Sequence, residues 1–152
     1  MPRAVSDSWL GSVLSPGWSP IRRVDVSEAL AAWKADGHYP LEPAIEVASR
    51  LDGLSFRYPR PAVGESPDEC SFDAAAASRS IYPQVVRGYE NAIGSQLCPV
   101  GVTASRHVVL MVSGDGAIYG GYDRFLARYG GDWREAIWVI YNRISPSRIT
   151  LD

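Results

Sequence analysis

The 152-residue sequence predicts an α+β fold: a central, mainly antiparallel sheet flanked by helices in a single domain. Three observations lead there. The stretch His107 to Tyr122 reads as strand, tight turn, strand. Segments with helical periodicity lie on both sides of it. Length and balance, with 46% hydrophobic and 21% charged residues, suit one domain with a substantial core. In the hairpin, His107–Val112 is nearly all apolar and rich in β-branched residues, which fit a pleated surface. Ser113-Gly114-Asp115-Gly116 supplies residues that tolerate the positive φ of a hairpin turn. Ala117-Ile118-Tyr119 starts the return strand.

The remaining elements follow in order. A first helix is expected from about Asp7 to Leu14, capped by Ser6, with Trp9, Leu10, Val13 and Leu14 on one face. Ser15-Pro16-Gly17 ends it, and Trp18 to Ile21 is extended because residues before proline avoid the helical region. A second helix is capped by Ser27 and stops at Gly37. A third has Pro43 in its first turn, an apolar face of Ile45, Val47, Ala48 and Leu51, and Gly53 as terminator. Leu54–Tyr58 alternates and is the first strand. Pro59 to Ser71 reads as a long polar loop, followed by a helix over Gln84–Ile93. Leu97–Val102 is a strand, placed at a sheet edge because of Pro99. Beyond the hairpin, Asp123–Tyr129 is expected to form a short helix, ended by Gly130-Gly131. Asp132 caps a last helix with Ile137, Trp138, Ile140 and Tyr141 on its apolar face. The tail, 145–152, is expected to fray, which leaves 6–142 as the core of a single 1–152 domain.

The formal net charge is −2, so the chain lacks the basic excess of a general nucleic-acid binder. Nearly all positive charge is arginine, with Lys34 the only lysine, a bias that codon usage in a GC-rich genome explains. The two cysteines, Cys70 and Cys98, have no Cys-x-x-Cys spacing, and only His38 and His107 are available beside them. No usual zinc pattern fits, and no cofactor or metal is expected; two free thiols in a reducing cytosol is the plain reading. The first residues lack a signal-peptide core, and no stretch resembles a membrane span, so the expected location is the cytoplasm.

Few constellations carry chemistry. Glu65, Asp68, Glu69 and Asp73 fall within nine residues that contain no basic residue. They form either a negative patch for a basic partner or a merely solvated loop. Tyr58 and Tyr82 lie near strand ends or turns, where a tyrosine can serve a binding face. Trp9, Trp33 and Trp138 sit at core positions of helices. Arg22, Arg23 and Asp25 read as surface charges or a local ion pair. Gly114-Asp115-Gly116 lacks the lysine of a phosphate loop and the further acids of a calcium loop. A dyad of Cys98 or Cys70 with His107 or His38 is chemically allowed, but nothing in the local sequence activates either thiol.

The series Gly17-Trp18-x-Pro20-x-Arg22-Arg23-Val24-Asp25-Val26 resembles the opening signature of the third subgroup of the SUKH superfamily of bacterial immunity proteins. So do the helix ending at Gly37, Leu51-Asp52-Gly53-Leu54, Pro99-Val100-Gly101, the strand into Gly114-Asp115-Gly116-x-Ile118-Tyr119 and a closing helix. Together they extend from about Ser6 to Asn142. The resemblance implies an α+β fold without catalysis, and protection of the producing cell by binding a cognate toxin domain, often a nuclease or nucleic-acid deaminase. Gly120-Gly121 and Gly130-Gly131 depart from that pattern. The matching motifs look structural and bring no binding residue with them.

The expectation is thus a noncovalent, stoichiometric inhibitor of a toxin protein that touches neither nucleic acid nor membrane. Glu65, Asp68, Glu69 and Asp73 would form its contact surface, with Tyr58 and Tyr82 as anchors. A small cysteine-dependent enzyme and an intracellular interaction scaffold are the alternatives.

Overall fold

Side-chain caps set where several helices begin. The computed structural model describes residues 5–59 and 67–151. Helix α1 (Asp7–Leu14) starts where Ser6 Oγ accepts the amide of Trp9 at 3.1 Å. Helix α2 (Ser27–Ala35) is capped differently from expectation. Ser27 is its first residue, and Asp25 Oδ1 accepts from both the amide and the hydroxyl of Ser27. Helix α3 (Glu42–Leu51) has Pro43 in its first turn. The Arg22 guanidinium donates to the carbonyls of Arg50 and Asp52 at its C-terminus, 2.7 and 2.8 Å away. Arg23 pairs with Glu46 on the same helix. The arginines thus fasten the chain before α2 to α3.

Seven strands follow in the described residues, each antiparallel to its neighbour, in the order β1-β2-β3-β4-β5-β6-β7. Strand β1 (Ser55–Tyr58) pairs with β2 (Asp68–Phe72). Strand β2 lies where a long loop was expected. Its inward residues, Cys70 and Phe72, are separated by a polar Ser71, and the short alternation is hidden among acids. Helices α4 (Ala74–Arg79, capped by Asp73) and α5 (Pro83–Ile93) intervene before β3 (Leu97–Thr103).

Strand β3 is central, not an edge. Its proline is accommodated by a bulge, where the register with β4 (Val108–Ser113) shifts between Pro99 and Gly101. The bulge also changes the phase of the strand. Cys98 and Val100 face one core, whereas Val102 faces the other. Gly101 is required there, since a Cβ would lie 2.5 Å from the Ser71 carbonyl oxygen.

Strands β5 (Ile118–Tyr122) and β6 (Phe125–Gly130) form a hairpin. The helix expected over Asp123–Tyr129 is therefore a turn and a strand. Asp123, at φ 46°, reverses the chain, and pairing with β5 overrides the helical preference of the Leu126-Ala127-Arg128 segment. Helix α6 (Trp133–Tyr141) begins at its Asp132 cap. The tail does not fray throughout. Strand β7 (Ser147–Arg148) pairs with β6, and Ile149 and Leu151 pack against the second core.

The sheet has a core on each face. Val108, Leu110 and Val112 of β4 point into a cluster with residues of α1, α3 and α6; Val109 and Met111 point into another with Val86 and Tyr89 of α5. Burial on both faces explains why β4 is a continuous apolar run rather than an alternating one.

Candidate binding surface

Strands β3 and β5 end at the same end of the sheet, and two unusual turns meet there. In the β3–β4 turn, Ala104, Ser105 and Arg106 all have left-handed backbones, with φ of 53°, 59° and 67°. For non-glycine residues that conformation costs on the order of 1 kcal/mol or more each. Two buried side chains hold it. The Tyr58 hydroxyl accepts the amide of Ala104 at 3.1 Å and is 2.8 Å from Thr103 Oγ1. Asp68 Oδ1 accepts the amide of Ser105 at 2.8 Å. In the β5–β6 turn, the Tyr89 hydroxyl donates to the Asp123 carbonyl at 2.8 Å.

Five of the six expected contact residues fall in different roles. Tyr58 and Asp68 turn inward, at 6% and 8% exposure, and grip the turn from behind. Burial holds the Tyr58 phenol above its usual range. Glu65 lies outside the described residues. Glu69 is exposed, opposite Arg57 of β1. Asp73 is exposed too, although its carboxylate accepts the amide of Ala76 as the α4 cap. Tyr82 stands out at 78% exposure.

The outer face beside these turns carries a furrow made of three open depressions. The first, about 260 Å³, is bordered by Asp73, Ala76, Val102 and Arg106. The second, about 280 Å³, shares Arg106 and adds Tyr82, His107 and Tyr122. The third, about 480 Å³, shares Val85 and Asp123 with the second and adds Arg124 and Leu151. His107 and Tyr122 have ring centroids 4.7 Å apart, and Tyr122 stacks on Phe125 at 5.1 Å. Asp73 and Tyr82 thus border one continuous surface with Arg106. Arg106 carries no mark in the local sequence, because its position depends on β3 and β4 forming a hairpin. The available signal was a short polar segment, Thr103 to His107, between two apolar runs.

Of the residues considered for catalysis, Cys98 and His107 do not converge. Cys98 pairs with Val112, whereas His107 precedes Val108 at the opposite end of β4, roughly 16 Å away at 3.3 Å per residue. The Cys98 thiol donates to the Tyr39 carbonyl, and burial pushes its pKa up to about 11. Cys70 is fully buried and pushed further up for the same reason. Neither is poised as a thiolate nucleophile. Among the described residues no group of three His, Cys, Asp or Glu side chains could hold a metal, and no helix is long and apolar enough to cross a membrane.

The fold and this surface define a small α+β protein with inert thiols and with exposed arginine and aromatic side chains, the types that dominate protein contacts. A family model described as SUKH-3 immunity protein matches residues 10–142. The chain belongs to the SUKH-3 immunity protein family. No curated protein matches it, and no solved structure does.

Proposed function

We propose that the protein neutralises a cognate polymorphic toxin domain, a nuclease or nucleic-acid deaminase, by stoichiometric noncovalent binding in the bacterial cytoplasm. Membership of the immunity family over residues 10–142 is the observation that carries this reading. Two structural features support it. The buried thiols argue for a binding protein over the cysteine-enzyme alternative. The exposed acids Glu69 and Asp73, with Glu65 in the same segment and Tyr82 nearby on the furrow, offer charge for encounter and an aromatic anchor for residence.

The test is co-expression with the C-terminal domain encoded by the adjacent reading frame. The wild-type protein should restore growth and co-purify with that domain at a fixed ratio. Reversal of Glu65, Glu69 and Asp73 to lysine should weaken protection while the protein stays folded. Full protection by the triple variant would remove the acids from the contact surface. Absence of any complex with the wild type would sink the inhibitory reading itself.

A further inference from the structure

We infer that the β3–β4 turn is a preformed receptor for a carboxylate on the toxin, with Arg106 as the reading residue and Tyr82 and Arg124 beside it. The inference deepens the proposed function and rests on it. Three independent observations lead to it.

The first is conformational. Three successive non-glycine residues, Ala104 to Arg106, hold left-handed backbones, and a left-handed backbone is costly for such residues. The fold uses two buried polar side chains, the Tyr58 hydroxyl and the Asp68 carboxylate, to keep the turn in that shape. Ala104 packs against the first core, whereas Ser105 and Arg106 are exposed at the tip of the turn. A rigid turn does gain something in recognition, since its ordering cost is met before the partner arrives.

The second is electrostatic. Arg106 and Arg124 are exposed, and no acidic side chain of the described residues pairs with either. A guanidinium fork matches a carboxylate in two parallel hydrogen bonds. The third is placement. Arg106 borders two adjoining depressions at once, with Tyr82 on the wall of the second and Arg124 on the third. A side chain laid into the furrow would meet guanidinium and aromatic surface together.

A nucleic-acid strand fits less well. Asp123 lies inside the furrow, Asp73 on its rim, and the whole chain carries a net charge of −2. A single carboxylate on Arg106 meets less of that negative charge than a row of phosphates would, so the occupant is a segment of the toxin that carries an aspartate or glutamate.

The experiment is calorimetric titration of the full-length protein with a catalytically inactivated toxin domain from the adjacent reading frame. Arg106→Glu should raise Kd about tenfold or more, Arg106→Lys should recover part of the loss, and circular dichroism should match wild type. Arg124→Glu on the neighbouring turn gives a second reading if Arg106→Glu does not fold. Replacing one acidic residue of the toxin by arginine should restore binding to Arg106→Glu. Binding of Arg106→Glu and Arg124→Glu within twofold of wild type would overturn the inference and leave the inhibitory function standing. No binding by the wild type would remove both. Saturable binding of single-stranded DNA, abolished by Arg106→Glu, would reassign the turn to nucleic acid and overturn it as well.

Discussion

The ring of Tyr89 occupies the space that a side chain on Gly121 would need: a Cβ there would lie 2.5 Å from Cε2 and 2.9 Å from Cζ. On the opposite face of β5, a Cβ on Gly120 would meet Tyr129 at 2.5 Å and Val108 at 2.7 Å. The glycine pair thus lets an aromatic ring approach the strand backbone from each side. Gly121→Ala should destabilise the protein by about 1–3 kcal/mol, seen as a lower urea midpoint with an unchanged slope. Gly88→Ala is the control. That glycine lies within α5 with nothing within 4 Å of its absent Cβ, so alanine should be neutral or stabilise by up to about 1 kcal/mol.

Tyr58 serves the turn through one oxygen atom. Tyr58→Phe keeps the ring and strands the amide of Ala104 in a half-buried site. The expected cost is about 1–3 kcal/mol, together with faster hydrogen exchange at Ala104 and Ser105. Tyr82→Ala, at an exposed position, should stay within about 0.5 kcal/mol of wild type. Equal stability losses for the two variants would refute the division of labour between them.

His38 makes stability fall in mild acid. It is 3% exposed, and neither ring nitrogen has a hydrogen-bond partner among the described residues. Burial, reinforced by the nearby Arg87 charge, lowers its pKa from 6.5, while Asp36 and Glu90 oppose that shift. The unfolded chain therefore binds the proton more readily than the folded one. Stability from this group is complete above pH 6.5 and declines as pH drops toward the folded pKa, with a slope of at most about 1.4 kcal/mol per pH unit. His38→Leu should flatten that part of the stability profile. An identical profile in the variant would show that other groups set the acid limb.

The thiols should be silent in the native state. Cys70 and Cys98 are both buried with raised pKa values, so a thiol reagent at neutral pH should label neither until denaturant is added. The Cys70→Ser, Cys98→Ser double variant should protect cells whenever it folds. A folded double variant that no longer protects would return the cysteine-enzyme reading to consideration.

Much of this architecture was legible without coordinates. Ser6, Asp132, Pro43, Gly37 and Gly53 act within one turn of their own positions, so local sequence suffices to place them. The central hairpin was equally plain, because a two-sided core demands an unbroken apolar run and its turn demands glycine. What failed was the interpretation of residues whose partners are distant in sequence. Leu126-Ala127-Arg128 favours helix alone and becomes strand only opposite β5. Pro99 suggests an edge until a bulge allows it a central place. Arg22 looks like a surface charge until the end of α3 comes to meet it.

The candidate surface divides in the same way. Sequence alone marked the acids and tyrosines as polar or amphipathic groups near turns, and it identified the family resemblance through caps, turns and a buried tryptophan. Only the tertiary structure decided that Tyr58 and Asp68 face inward and that Arg106 faces out. The physical reason is that a side chain's hydrogen-bond partner 37 or 46 residues away exists only after the sheet has closed. Local pattern sets conformational preference, whereas pairing between remote strands sets which preference survives.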